Sequence, residues 1–157
     1  MKVYTLQRQQ QLPISVEGAW AFFSSAGNLA KITPPEMGFS IVSTLNEEPV
    51  YSGMLIEYRV KPLLGISMKW VTEITGVDAP HVFTDRQLKG PYALWEHTHR
   101  FKSVKGGVEM TDEVKYALPL GWLGNIAHEL VVKSKLKQIF DFRTEALKNL
   151  FGEINEQ

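Results

Sequence analysis

Asp85, His97 and Tyr116 are a carboxylate, an imidazole and a phenol. Set in a row, such groups move protons or hold the polar end of a bound molecule. The stretch Phe83–Phe101 reads as two strands about a Gly90-Pro91 turn signal. Side chains alternate across a strand. Phe83, Asp85 and Gln87 therefore share one face of the first arm, and Trp95, His97, His99 and Phe101 share one face of the second. Thr84, Arg86, Glu96, Thr98 and Arg100 take the outer faces. A face built only for packing would carry Val, Ile and Leu; this one is aromatic and ionisable. Buried polar groups cost free energy unless paired, so the pattern predicts a lined pocket. With the turn centred on Pro91, Asp85 lies opposite His97 and Gln87 opposite Trp95. With Gly106-Gly107 as a two-residue hairpin loop, His97 lies opposite Tyr116 and Phe101 opposite Asp112. Opposed side chains sit ~5 Å apart at Cβ, so Asp85, His97 and Tyr116 are expected to form a hydrogen-bonded row.

Three roles fit that row. In catalysis, Asp85 orients the imidazole, and His97 or Tyr116 moves a proton on a bound carbonyl compound. In binding, the same groups hold the polar end of a mostly apolar ligand. In structure, they form a satisfied buried network that fixes strand register. His97-x-His99 is a spacing that metal sites use, with Asp85 or Asp112 as the third ligand. No glutamate or cysteine joins them on that face, and neither a metal nor a cofactor is expected. Tyr58, Trp70 and Phe101 add aromatic wall. The candidate ligand-binding set is Tyr58, Trp70, Phe83, Asp85, Gln87, Trp95, His97, His99 and Tyr116. His81 and His128, near element ends, read as surface or cap residues. There is no Gly-rich phosphate loop and no nucleophile elbow.

These residues need a scaffold, and the remaining pattern supplies one. Residues 2–12 alternate as a first strand. Ser15 is an N-cap for a helix Val16–Ser24. Gly27-Asn28 breaks it, Leu29–Ile32 forms a further short turn, and Thr33-Pro34-Pro35 prevents continuation. Strands follow at Phe39–Leu45, Met54–Lys61, Ile66–Gly76, the two arms above, and Val108–Leu118. Asp112 alone spoils the apolar face of the last. Pro119–Gly124 is a glycine-broken apolar connection. Residues 125–151 read as one helix about 40 Å long, with Leu136, Phe140, Leu147 and Phe151 on one flank. The order predicts an α+β domain: a seven-stranded antiparallel sheet that curves around the C-terminal helix, with two short helices after strand 1. Alternate turns of a meander share one end of the sheet. Pro62–Gly65, Gly90–Tyr92 and Pro119–Gly124 bring Leu63, Leu64, Ile66, Tyr92, Leu120, Trp122 and Leu123 there. They form either the mouth of an apolar pocket or a plug at one end of the core.

The chain has 157 residues, 44% of them hydrophobic, enough for one domain over 1–157 with a sizeable core. Lys plus Arg and Asp plus Glu number 17 each, which calls for no nucleic-acid partner. Cysteine is absent, which excludes disulfides, thiol catalysis and thiolate metal sites. No apolar leader and no run of about 20 apolar residues is present. A cytoplasmic protein without membrane insertion is expected. Lysines on the long helix, interleaved with Asp141 and Glu145, read as a solvated face.

The order of elements resembles the helix-grip superfamily of START lipid-binding domains, pollen-allergen proteins and polyketide cyclase/dehydrases (SRPBCC). The run Phe83-x-Asp85-x-Gln87-x-x-Gly90-Pro91-Tyr92-x-x-Trp95-x-His97-x-His99-x-Phe101, with Asp112-x-Val114-x-Tyr116-x-x-Pro119-x-Gly121, is similar to a bacterial ligand-binding branch. The resemblance implies a cavity between sheet and helix, of roughly 300–1,000 Å³ by the usual size of such sites, for a small hydrophobic or amphipathic molecule. A cofactor-free polyketide-type cyclase or dehydratase using Asp85, His97 and Tyr116 is the first alternative. A protein-interaction module with a filled core and no ligand is the second.

Overall fold

The computed structural model describes residues 1–43, 49–62 and 65–154. The strand end expected at Leu45, the Asn46-Glu47-Glu48 turn and Leu63-Leu64 lie outside them. Strand β1 (Tyr4–Leu12) is followed by helix α1 (Val16–Phe23) and by 3₁₀ turns at Ala26–Ile32 and Pro35–Met37. Ser15 caps α1 as expected, its Oγ accepting from the Gly18 N–H at 3.0 Å. Next come β2 (Ser40–Ile41), β3 (Leu55–Val60), β4 (Met68–Asp78), β5 (Val82–Lys89), β6 (Leu94–Val104) and β7 (Gly107–Ala117). They form one seven-stranded sheet in the order β1-β7-β6-β5-β4-β3-β2. Each pairing is antiparallel. Two register shifts between β4 and β5 interrupt that ladder, and such bulges bend a strand.

The C-terminal helix begins earlier than the glycines of Pro119–Gly124 suggest. Helix α2 (Trp122–Ala127) runs through a π-helical turn, His128–Val132, into α3 (Lys133–Phe151). Gly124 lies inside α2, where a Cβ would meet the Pro119 carbonyl oxygen at 2.1 Å. It allows a close approach and does not break the helix. β1 holds the helix at its side: Arg8 donates to Asp141 at 2.8 Å, and Gln10 to the Thr144 carbonyl at 3.0 Å.

The hairpin after β6 departs from expectation. Val104 pairs with Gly107, so Lys105-Gly106 is the loop. Gly106 takes φ +87°, the left-handed conformation. Gly107 is already in the strand, where a Cβ would meet the Leu12 carbonyl oxygen at 2.0 Å. Adjacent glycines thus serve different needs, and the register lies two residues from the one expected. His97 faces Val114, Tyr116 faces Trp95, and Asp112 faces His99. The hairpin about Pro91 does place Asp85 opposite His97.

Two apolar clusters pack between sheet and helix. One gathers Leu12, Ile56, Ile74, Phe83, Phe101 and Leu147 beneath α1. The other gathers Val60, Trp70, Tyr92, Tyr116, Leu136 and Phe140. Complete burial of a side chain such as Leu147 stabilises by about 1.5–3 kcal/mol. No helix among the described residues is long and apolar enough to cross a membrane.

Candidate functional site

A cavity of about 180 Å³ lies where the two clusters meet. Its volume falls below the range expected from the sequence, because Trp70, Trp95, Tyr58 and Phe140 project into the space. Its walls come from β3–β6, the 3₁₀ turns and α3, and they are mostly apolar: Ile32, Val50, Ile56, Val60, Ile74 and Leu136 among others. Tyr58, Trp70, Phe83, Asp85, Trp95, His97 and His99 line it as expected.

Gln87 and Tyr116, expected in the same wall, are outside it. Gln87 clamps the β5–β6 turn: its Nε2 donates to the Tyr92 carbonyl at 2.8 Å, and its Oε1 accepts from the Tyr92 N–H at 3.1 Å. Gly90 leaves room for that clamp: a Cβ there would meet Gln87 Oε1 at 2.5 Å, so a side chain would push the amide aside. Tyr116 turns toward the π-helical turn, with its hydroxyl 2.7 Å from His128 Nε2. His128 is no surface residue; it is buried and stacks on Tyr4 at 3.5 Å between ring centroids. His81 is exposed, as expected. Tyr92 lines the cavity, but Ile66, Leu120, Trp122 and Leu123 do not; these four are exposed and neither border the cavity nor plug the core.

The polar end of the cavity is crossed rather than a single row. His99 Nε2 is 2.7 Å from Asp85 Oδ2, although Asp85 stands opposite His97. His97 Nε2 is 2.8 Å from Asp112 Oδ1, although Asp112 stands opposite His99. Diagonal neighbours in a twisted sheet are within reach of long side chains. The carboxylates accept, so each Nε2 carries the proton. The two imidazoles stack at 3.8 Å, and Phe83 stacks on His99 at 4.1 Å.

Arg143 completes the group. Its Nη2 donates to Asp112 Oδ1 at 3.0 Å from the α3 side, and both residues are buried. The sequence signal for Arg143 was its position, three residues after Phe140 and four before Leu147 on the apolar flank of α3. Burial alone would raise the Asp112 carboxyl. The Arg143 guanidinium and the His97 hydrogen bond outweigh it and hold Asp112 well below the usual carboxylate range. Asp85 behaves alike: burial pushes it up, and the His99 hydrogen bond, helped by the nearby His97 and Arg143, brings it below its ordinary value. Burial, helped by neighbouring His97, pushes His99 down to about 4 against the pull of Asp85. Neutral His99 therefore donates from Nε2 and leaves Nδ1 buried without a partner, 3.5 Å from Asp112 Oδ1. Burial raises the phenols of Tyr58 and Tyr92 well above their ordinary value, so both stay neutral donors.

Asp85, His97 and His99 each bring one donor atom within 4.8 Å of the other two. Both Nε2 positions already serve carboxylates, so a cation held there would have to break those hydrogen bonds. The group is arranged as two hydrogen-bonded carboxylate–imidazole pairs. Chemically it can accept or donate a hydrogen bond at one end of an apolar space, or relay a proton there.

A curved seven-stranded antiparallel sheet closed on a long C-terminal helix, with short helices between β1 and β2, is the helix-grip fold. The resemblance read from the sequence holds at that level. No protein-family model matches the chain, and no curated protein does. Among solved structures it is similar to protein Ms6760 from Mycobacterium smegmatis, at 17% identity and TM-score 0.64 over 96% of this chain and 98% of that one. It is similar to Ara h 8.0201, at 15% identity and TM-score 0.56 over 94% and 99%. It also matches the di-domain ARO/CYC BexL of the BE-7585A biosynthetic pathway, at 12% identity and TM-score 0.70, with 99% of this chain on 51% of that one.

Proposed function

We propose that the protein binds a compact, mostly apolar molecule with one hydrogen-bonding end between its sheet and its C-terminal helix. The observation that carries this reading is the cavity itself: apolar walls, with two buried carboxylate–imidazole pairs at one place. Its volume of about 180 Å³ suits one or two fused rings, since an apolar cavity of about 150 Å³ takes up benzene. Asp85 and the imidazoles would meet a hydroxyl or carbonyl on that ring system.

Calorimetric titration with 2-naphthol and with naphthalene tests this. A hydrogen bond to a charged group is worth about 1.5–3 kcal/mol, so 2-naphthol is expected to bind at least tenfold tighter. In His97→Ala that gap shrinks while the naphthalene affinity holds. Equal affinities in the unmodified protein, or no binding of either, would end the proposal.

A second reading, a cofactor-free cyclase or dehydratase, is favoured by the two Asp–His pairs bordering the cavity. It now rests on His97 and His99 with their carboxylates, because Tyr116 faces elsewhere. Loss of a general acid–base group would lower turnover by about 10²-fold or more.

A further inference from the structure

The start of the C-terminal helix presents an apolar face that the fold does not use. Gly124, His128, Val132, Leu136 and Phe140 recur at four-residue spacing, and all are buried. That inward stripe fixes which side turns outward. On the outer side Trp122 is 70% exposed, Ile126 49% and Leu130 74%, again at four-residue spacing. Leu120, 76% exposed, precedes them. Leu120 is also held at φ +69°, a conformation that costs a leucine free energy, and its side chain gains no burial in return. Single exposed apolar residues are ordinary, but a contiguous set marks a contact surface.

Charge identifies the contact. One turn further along come exposed Lys133 and half-buried Lys135, which flank the outer face on its two sides. Lys2 lies over the Tyr4 ring at 5.0 Å, and Tyr4 bonds Asn125 and stacks on His128. Lys137 is engaged by Asp141. Against Lys133 and Lys135 the segment sets one acid, Glu129; with Lys2 alongside, the local excess is two positive charges in a chain of net charge zero. A tryptophan and leucines next to lysines suit a bilayer interface, with the apolar side chains among acyl chains and the ammonium groups at phosphate level. A second copy fits less well, because a two-fold contact apposes the same patch and would bring these lysines together.

We infer that the outer face of residues 120–135 docks on an anionic lipid surface. The contact is peripheral and independent of what the cavity holds.

Co-sedimentation with phosphatidylcholine vesicles, with and without phosphatidylglycerol, tests it. The protein is expected to sediment with the anionic vesicles and to be released by high salt. Trp122 is the most exposed of the four tryptophans, so its emission should shift to the blue on binding. Leu130→Glu, and separately Lys133→Glu with Lys135→Glu, should each weaken partition about tenfold or more. These positions lie on the surface, so the melting temperature should hold. Absence of partition, or unchanged partition of Leu130→Glu, overturns the inference. So does a vesicle-free dimer that Leu130→Glu dissolves, which would make a second copy the occupant.

Discussion

Arg143 on α3 donates to Asp112 on β7 at 3.0 Å, and the two residues tie the helix to the sheet beside the cavity. Each is under 10% exposed, so the pair is shielded from solvent screening. The same Asp112 oxygen accepts from His97 at 2.8 Å. A helix charge, a sheet charge and a cavity imidazole therefore share one atom.

Breaking this pair should cost more than removing it. Asp112→Leu leaves a buried guanidinium uncompensated, a loss of about 3–5 kcal/mol. Arg143→Met leaves Asp112 held by His97 alone. The double variant Asp112→Leu/Arg143→Met should be more stable than Asp112→Leu, because no lone charge remains. Urea unfolding of all four proteins closes the cycle. Strictly additive losses would show that the two charges do not communicate.

Acid should weaken the protein in two stages. His99 binds its proton less readily when folded, with its value moved from 6.5 to about 4. The unfolded chain takes up that proton as pH falls through 6.5, and the folded one does not. The stability contributed by neutral His99 is thus complete above 6.5 and is lost between 6.5 and about 4. The loss is on the order of 3 kcal/mol. Asp85 and Asp112 have folded values below their ordinary 3.8, so they add a second loss as pH falls through that value. Urea midpoints across the range should show both limbs; His99→Gln should flatten the upper one and shrink the share of the lower one that Asp85 contributes. A level profile between 6.5 and 4 in the unmodified protein would contradict the assignment.

Tyr116→Phe separates the cavity from the π-helical turn. The hydroxyl it removes bonds His128 and does not reach the cavity. Stability should fall by about 1–2 kcal/mol, the cost of an unmade buried hydrogen bond. Affinity for 2-naphthol should stay within about twofold. A large loss of affinity at full stability would return Tyr116 to the site.

What the sequence made legible followed from local rules. Alternation located the strands, Ser15 the first helix, and the Gly90-Pro91 turn the Asp85–His97 pairing. What it hid depended on contacts distant along the chain. Gly106 and Gly107 look alike in sequence, and only the Leu12 carbonyl beside Gly107 distinguishes them. That ambiguity moved the register by two residues and sent Tyr116 to the wrong partner. Gln87 alternates like a wall residue, yet the chain folds back at Tyr92 and takes its amide. Asp112 stands out as a charge on an apolar face, whereas Arg143 goes unnoticed on the apolar flank of the long helix. Their pairing spans 31 residues, which no periodicity reports. His128 likewise sits on the buried four-residue stripe.

Filling the cavity should separate binding from folding. Ile56 on β3 is buried and lines the cavity. Ile56→Trp has empty space to enter, so it should avoid most of the roughly 1–3 kcal/mol that overpacking costs in a close-packed core. Its melting temperature should stay within a few degrees while 2-naphthol binding disappears. Leu147→Ala is the counterpart, at a fully buried position away from the cavity wall. It should cost about 2–5 kcal/mol and leave affinity unchanged wherever the protein remains folded. If Ile56→Trp instead destabilises like an overpacked core and ligand still binds, then the space beside Ile56 is not where the ligand sits.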